Sequence, residues 1–342
     1  MKVAALAPAL LVLMTVAAAA QQAVPTNGEH PVAPPSSSAA PPPVFRSVAN
    51  LVPLNVTVLD PQKKFVKGLT AAEFAVLEDG VPQQVQFFES TKIPLDLIIL
   101  LDTSSSMSDK MDVVHEAAVG FLRTLGPGDR GAVVGFADGV AVLQELSGDR
   151  ASLEQAIRST RARGATSLHN ALYIALKQFG RGTGPEGDVR RQVIAVLSDG
   201  EDTSSLVSFD DVLAVARKSG VGIYPIALQS KNAASRLVSS GQRRFFSESE
   251  YSLRLLAQET GAQAFFPMQI FELKDIYAEI AQELSNQYSF AYAPANGRAD
   301  GGFRRIVVRI PARPELTLRA RTGYTAETGR SSRAAPIQQP QR

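Results

Sequence analysis

Two apolar runs in this chain each stop at an aspartate. The first, Leu97–Leu101, follows Pro94 and stops at Asp102, and the second covers 193–198 and stops at Asp199. Apolar runs of this length, bounded by polar loops, predict strands that are buried on both faces, as in a parallel sheet. In an open α/β sheet, ligands bind at the carboxyl ends of the strands, which is where both aspartates fall.

The segments around these strands alternate between helical and strand patterns. Between Met111 and Leu125, apolar residues recur close to every 3.6 positions, which predicts an amphipathic helix. Further helices are predicted at 149–161, 168–180, 208–219, 250–260 and 271–286, with strands at 128–136, 140–146, 221–228 and 262–266 and a surface loop at 229–247. This alternation predicts a doubly wound α/β fold.

The loop after the first strand carries one carboxylate and two hydroxyls at alternate positions, in a D-x-S-x-S spacing: Asp102, Ser104 and Ser106. Such hard oxygen ligands suit Mg²⁺, Ca²⁺ or Mn²⁺ and not zinc. A serine-rich loop before a helix is also typical of an ordinary N-cap, and taken alone the loop fits that interpretation better. The loops at the other strand ends favour the metal-site interpretation over the N-cap.

Two further loops carry oxygen ligands in matching order along the chain. Thr166 lies in a G-x-T-x-L-x-x-A-L segment that opens a helix, and Asp199 lies in an L-S-D-G segment. With D-x-S-x-S before them, these motifs resemble the von Willebrand factor type A (vWA) domain and its metal-ion-dependent adhesion site, or MIDAS. Three motifs in order are a more specific signal than any one of them. The resemblance places a vWA domain at 93–286.

The resemblance implies a Rossmann-like domain with a mainly parallel central sheet and one bound Mg²⁺, with Ca²⁺ or Mn²⁺ as alternatives. In the family, the final aspartate acts through water. The metal ligands it implies are Asp102, Ser104, Ser106, Thr166 and Asp199.

Strand patterns flank this domain on both sides. Residues 48–90 contain an alternating strand, a short capping-box helix and a hairpin with a turn at Asp79-Gly80, whose far arm is predicted at 85–88. Residues 287–323 contain three amphipathic strands. Neither set can bury a face alone, so we expect the two to pack together as one small β-module. The N-terminal segment resembles that of exported vWA-related proteins common in acidobacteria.

Both chain ends differ from the domains in composition. Lys2 and the apolar stretch from Val3 to Ala20 predict a Sec signal peptide at 1–20, with an uncleaved membrane anchor as the alternative. Residues 21–46 are rich in Pro and Ser and predict a disordered linker. A disordered tail is predicted at 324–342. We therefore expect an exported protein, periplasmic or secreted, without a stable transmembrane segment after cleavage.

Composition excludes some function classes. The net charge is +2 without a strong basic block, which argues against nucleic acid as a partner. The chain has no Cys, so disulfides do not stabilise it. Nucleotide-binding G-x-x-x-x-G-K and hydrolase G-x-S-x-G motifs are absent.

Two functions remain open. The first is a metal-dependent protein-binding module, without enzymatic activity, whose cation binds an Asp or Glu carboxylate of a protein partner. The alternative is an exported hydrolase or other enzyme that uses the same ion to activate water. That alternative needs a general base, and the sequence assigns none.

Overall fold

The structure, a computed structural model, describes residues 51–90, 93–179, 190–199, 202–228 and 248–328. The predicted signal peptide, the Pro/Ser-rich linker and the 229–247 loop lie outside the described residues, and so does the chain beyond 328.

The secondary structure follows the predicted alternation. In chain order, the strands are β1 Val52–Leu59, β2 Ala75–Glu78, β3 Val81–Gln83, β4 Val85–Glu89, β5 Leu95–Asp102, β6 Arg130–Phe136, β7 Val140–Ser147, β8 Arg191–Ser198, β9 Gly222–Ala227, β10 Tyr288–Tyr292, β11 Phe303–Arg309, β12 Thr317–Arg319 and β13 Gly323–Thr325. The helices are α1 Met111–Leu122, α2 Arg150–Ser159, α3 Leu168–Phe179, α4 Phe209–Ser219, α5 Glu248–Thr260 and α6 Leu273–Asn286.

The central sheet has the strand order β7-β6-β5-β8-β9. The pairs β6–β5, β5–β8 and β8–β9 are parallel, and only the edge strand β7 is antiparallel to its neighbour. Alternate residues of β5 enter different cores, with Leu97 and Ile99 on the side of α1, α2 and α6 and Ile98 and Leu100 on the side of α3, α4 and α5. The predicted doubly wound fold with a mainly parallel sheet is confirmed.

The strand predicted at 262–266 is wrong. In that segment only Phe265 pairs with the sheet, as a single parallel bridge to Ile226 of β9. The ladder cannot extend on either side, because Pro225 on β9 and Pro267, directly after the segment, both lack the N–H that the next hydrogen bond needs. The segment therefore continues the sheet for one residue and then leaves it.

The flanking segments form the predicted β-module. Its two antiparallel sheets have the orders β12-β1-β10-β4 and β13-β11-β2-β3. Strands from before and after the α/β domain alternate in the first sheet, and in the second they meet where β11 pairs with β2. Aromatic rings fill the space between them, with the ring centroids of Phe74 and Phe290 4.8 Å apart and those of Phe74 and Tyr288 5.3 Å apart. Residues of both segments contribute to one hydrophobic core.

Two details of the β-module differ from the predictions. The far arm of the Asp79-Gly80 hairpin is β3, whereas the predicted arm, at 85–88, belongs to β4 and pairs with β10 in the other sheet. The tail predicted from 324 begins too early, because β13 pairs with β11 and Thr328 forms a bridge with Asp300.

A buried polar cluster joins the β-module to the end of α6. Oε1 of Glu283 accepts hydrogen bonds from the hydroxyls of Thr57 on β1, at 2.9 Å, and Tyr224 on β9, at 3.0 Å. Its Oε2 forms an ion pair with Arg319 of β12. Gln287 donates to the same cluster. The cluster thereby ties the last turn of the α/β domain to two strands of the β-module.

Candidate metal site

The candidate site begins where β5 ends. Asp102 is fully buried, and it lies opposite Phe136 of β6 in the parallel ladder. Because β5 is the central strand of the sheet, its carboxyl end lies between the loops that follow β6 and β8. The hydrophobic run thus sets the depth and position of the aspartate.

Both oxygens of the Asp102 carboxylate accept hydrogen bonds. Oδ1 accepts from the backbone N–H of Ser104 at 2.8 Å, and Oδ2 accepts from the hydroxyl of Ser198 at 2.6 Å. Burial raises the pKa of Asp102, the hydrogen bonds from Ser104 and Ser198 oppose that shift, and the negative charge of Asp199 adds to it. The carboxylate is therefore fixed in orientation before any ligand binds.

Ser104 and Ser106 lie side by side. Their hydroxyl oxygens are 3.0 Å apart, and the chain between them is a 3-10 turn over Ser105–Met107. Neither serine caps α1, because the N-cap position of that helix is Lys110 and it makes no side-chain capping bond. The N-cap interpretation of this loop is therefore wrong, and the two hydroxyls are left facing each other.

The loop that carries Thr166 is attached to the Asp102–Ser106 loop through its backbone. Ser105 N–H donates to the carbonyl of Gly164 at 3.0 Å, and Arg163 N–H donates to the carbonyl of Thr103 at 2.7 Å. Thr166 is buried. No hydrogen bond of the described residues links the Thr166 hydroxyl directly to Ser104 or Ser106. The backbone contacts between the two loops are therefore what places Thr166 near these serines.

The loop after β8 closes around Thr166 from the other side. The backbone N–H groups of Thr203 and Ser204 both donate to the Thr166 carbonyl, at 2.9 and 3.0 Å, and Thr166 N–H donates to the Thr203 hydroxyl at 3.0 Å. The Ser204 hydroxyl is buried and has no hydrogen-bond partner among the described residues. Buried hydroxyls usually have a hydrogen-bond partner, so this one is available to a polar ligand or a water molecule.

Asp199 meets a lysine that the sequence analysis did not single out. The Lys110 ammonium lies 3.3 Å from Oδ2 of Asp199 and 3.0 Å from the carbonyl oxygen of Ser106. The ammonium group of Lys110 thus contacts oxygens of two loops.

Ser198 was also not singled out from the sequence, although it directly precedes Asp199 in the motif. Only contact across the sheet reveals that its hydroxyl holds Asp102.

The residues present fit a hard divalent cation. The five predicted ligands supply two carboxylates and three hydroxyls, all oxygen donors of the kind that Mg²⁺ and Ca²⁺ prefer. Within the described residues there is no group of three or more His, Cys, Asp or Glu side chains that could hold a metal. A cation site among these described residues would therefore depend on hydroxyls, which is the donor set that the loops at the carboxyl edge provide.

A His–Asp pair lies at the border of this site. Nδ1 of His169 is 3.4 Å from Oδ2 of Asp202. The other oxygen of Asp202 accepts hydrogen bonds from the hydroxyl of Ser205 at 2.6 Å and from the backbone of His169 at 3.4 Å. These contacts brace the loop against the start of α3.

Comparison with known proteins finds similar sequences and similar structures. The sequence model of the von Willebrand factor type A domain matches residues 96–279. A UPF0353 protein of Mycobacterium leprae is 24% identical over 237 residues, which covers 65% of this chain and 68% of the relative. Inter-alpha-trypsin inhibitor heavy chain H1 of Sus scrofa is 26% identical over 144 residues, which is 40% of this chain but 16% of that protein.

Among solved structures, a similar one is proximal thread matrix protein 1 from the mussel byssus, whose own MIDAS motif is occupied by zinc. It is 18% identical, with a TM-score of 0.45, and the match covers 59% of this chain and 48% of that chain. Among the residues that the structure describes, no helix is both long and apolar enough to cross a membrane.

Proposed function

Because the chain belongs to the von Willebrand factor type A family of metal-dependent adhesion and protein-interaction modules, we propose that it binds a protein partner through a divalent cation. One observation carries the proposal: the buried Asp102 carboxylate is held beside the paired hydroxyls of Ser104 and Ser106 at the carboxyl end of the central strand. That edge is where α/β sheets bind ligands.

The proposed ion is Mg²⁺, with Ca²⁺ or Mn²⁺ as alternatives. Asp102, Ser104, Ser106 and Thr166 are its proposed direct ligands, and Asp199 acts through water. When bound, the cation supplies an electrophilic position for a carboxylate oxygen, because one direct carboxylate offsets only half of its charge and about two of six positions stay open to water or a partner. An Asp or Glu of the partner is the group that fits.

The protein's own residues prepare this position. The Ser104 N–H and the Ser198 hydroxyl orient the Asp102 carboxylate, so it does not have to reorganise when a ligand arrives. The Ser104 and Ser106 hydroxyls present neutral oxygens that bind without adding negative charge. Lys110 balances Asp199, which limits the negative charge that an incoming carboxylate meets.

We further propose that the protein acts outside the cytoplasm, in the periplasm or the medium. The support is the N-terminal sequence, in which Lys2 precedes an apolar stretch ending at Ala20. N-terminal sequencing of the protein from cell fractions tests this. The expected mature protein starts at Gln21, and a cytoplasmic protein that retains Met1 contradicts export.

An enzyme that activates water with the same ion is the second candidate. The His169–Asp202 pair is the observation in its favour, since a histidine oriented by a carboxylate suits general-base chemistry. The hydrogen bonds that Asp202 makes to Ser205 and to the backbone already account for the pair as a loop brace. A Mg²⁺-dependent hydrolysis of ester or phosphate substrates that His169→Ala abolishes would favour the enzyme.

Partner retention tests the binding function. The purified protein is immobilised and exposed to cell-envelope and culture-medium proteins in Mg²⁺ or in EDTA. We expect a protein that is retained in Mg²⁺, is released by EDTA and is not retained by Ser104→Ala. Ser108→Ala is the matched control, because the Ser108 hydroxyl belongs to the same loop but donates to the carbonyl of Ser105.

Acid-to-amide changes on the retained partner then test its role one residue at a time. One such change should abolish retention. Retention that is indifferent to EDTA, or to every amide change, contradicts the proposal.

A further inference from the structure

Four large apolar side chains stand out from the surface of the α/β domain. Leu206 is 96% exposed, Phe271 72%, Tyr251 62% and Met268 52%, and the first three are the most exposed large apolar residues in the described part of the chain. We call these four residues the apolar rim. Single exposed apolar residues are common on proteins, but a group of them on one side of a molecule marks an interaction site.

All four residues lie at the carboxyl edge of the central sheet. Leu206 is in the loop that follows β8, and Met268 and Phe271 follow Phe265, whose bridge to β9 is parallel. Tyr251 is near the start of α5. The last residue of that helix, Thr260, accepts a hydrogen bond from Ile223 at the beginning of β9, so the helix starts at the opposite, carboxyl edge. The candidate metal site is on this same edge.

Contacts tie part of the rim to the site from both faces of the sheet. Leu206 N–H donates to the Asn170 side chain of α3 at 3.1 Å, and its loop is the one that donates to the Thr166 carbonyl. On the other face, the 3-10 turn that contains Phe271 packs against α1, the helix that follows the Asp102–Ser106 loop. Since adjacent strands are about 4.8 Å apart, β9 lies about 10 Å from β5 across the sheet.

Packing does not account for these exposed side chains. In the turn Ile270–Glu272, Ile270 packs against the core while its neighbour Phe271 is left in solvent. Leu206 is held in its loop through its backbone N–H, and its side chain is almost completely exposed. Polar residues at these positions would satisfy the fold equally well, so the apolar side chains point to a role at the surface.

We infer that the apolar rim is the docking surface for a protein segment that presents one carboxylate flanked by large apolar side chains. The inference rests on the proposed function and names the class of partner for that same site. A cation at the centre attracts the carboxylate, and the rim buries the flanking side chains. The apolar contacts add the affinity and selectivity that a single carboxylate, present on every protein surface, cannot supply.

A random-peptide phage library panned on the purified chain in Mg²⁺ tests this inference. We expect enriched peptides in which one Asp or Glu has Leu, Ile, Phe, Met or Trp within two positions. A synthetic copy of an enriched peptide, labelled for fluorescence anisotropy, should lose binding in EDTA and on change of its acid to the amide. Phe271→Ser and Leu206→Ser should each weaken it about tenfold, the loss expected for one buried large apolar side chain.

Val81→Ser is the matched control. Val81 is 52% exposed, as Met268 is, but it lies on β3 of the β-module. It should leave peptide affinity unchanged. Circular dichroism and melting temperature of each variant establish that the fold is retained, which is expected because the changed side chains are at the surface.

Other outcomes separate the inference from the proposed function. One such outcome is a set of enriched peptides that need Mg²⁺ and an acid, carry no apolar neighbours and bind Phe271→Ser and Leu206→Ser as tightly as the wild type. That outcome overturns the apolar rim as a docking surface and leaves the metal-dependent function standing. A second outcome is a set of enriched peptides that carry a second acid where the apolar neighbours are expected. That outcome assigns specificity to the adjacent groove of about 690 Å³, because its lining includes Arg161 and Arg163, and it also overturns the apolar rim. Peptides that bind equally in EDTA contradict the proposed function, and no enrichment at all overturns the inference.

Discussion

The ammonium nitrogen of Lys110 lies 3.3 Å from Oδ2 of Asp199. The same nitrogen lies 3.0 Å from the carbonyl oxygen of Ser106, so it bridges the loops that follow β5 and β8. Its side chain is 27% exposed and can move into solvent. The lysine therefore contributes a tethered positive charge to a group of oxygens that is proposed to bind a divalent cation, and the two cations would compete for Asp199.

Removing that charge should strengthen metal binding. Lys110→Ala is expected to raise the affinity for Mg²⁺ roughly fivefold, because the repulsion between charges about 4 Å apart is worth about 1 kcal/mol even in water. Lys110→Arg keeps the charge and serves as the control, with an affinity close to that of the wild type. Titration calorimetry at low ionic strength measures both. Weaker Mg²⁺ binding by Lys110→Ala would show that the lysine supports the site instead of competing with the metal.

The Glu283 cluster predicts a large effect on stability at the junction with the β-module. Glu283 is 1% exposed, and Glu283→Ala leaves Arg319 without its ion-pair partner and Thr57 and Tyr224 without their acceptor. Breaking a buried pair in this way should lower the free energy of unfolding by about 3 kcal/mol. Urea unfolding measures the change.

Glu279→Ala is the control for that change, since Glu279 is on the same helix but exposed. It should alter the free energy of unfolding by less than about 0.5 kcal/mol, as is usual for surface substitutions. Equal effects of the two variants would mean that the cluster does not fasten the β-module to α6.

His115 predicts a loss of stability at mildly acidic pH. It is buried on α1, where Nε2 lies 2.6 Å from the Thr160 hydroxyl, and burial followed by the positive charge of Arg161 lowers its pKa. The unfolded chain therefore takes up this proton before the folded protein does. As the pH falls below about 6.5, the ordinary histidine value, the free energy of unfolding should decrease, and above that pH His115 contributes nothing to the pH dependence.

The comparison with His115→Gln isolates this effect. The amide can still donate a hydrogen bond to Thr160 but does not titrate, so the variant should lose less stability than the wild type between neutral pH and about pH 5. Urea unfolding across that pH range measures the difference. Parallel stability curves for the two proteins would show that His115 has the same pKa in both states.

The central sheet could be predicted from the sequence because its strands are buried on both faces. Unbroken apolar runs such as Leu97–Leu101 identify β5 without knowledge of their partners, and the polar residues after them identify its carboxyl end. The segment at 262–266 is wrongly predicted as a strand by the same reasoning. Its apolar character fits a strand, but Pro225 on another strand and Pro267 remove the donors that a second and third pair would need.

Contacts between distant parts of the chain could not be predicted. Glu283 and Thr57 are 226 positions apart, and nothing in the local pattern of either residue indicates a buried carboxylate. The ion pair between Lys110 and Asp199 could not be predicted either, because it depends on β5 and β8 being neighbours in the sheet. The five candidate oxygen ligands are what the family resemblance of the three motifs implies, and whether they bind a cation stays a prediction for experiment.

Calorimetric titration of the purified chain with Mg²⁺ tests the central claim most directly. The wild type and Ser108→Ala should bind one ion per chain, whereas Ser104→Ala and Asp102→Asn should bind more weakly. The loss for Asp102→Asn should be at least about tenfold, because it removes the one direct anionic ligand from a buried position. Asp199→Asn should lose less. An Asp102→Asn protein that is folded and binds Mg²⁺ as tightly as the wild type would contradict the account.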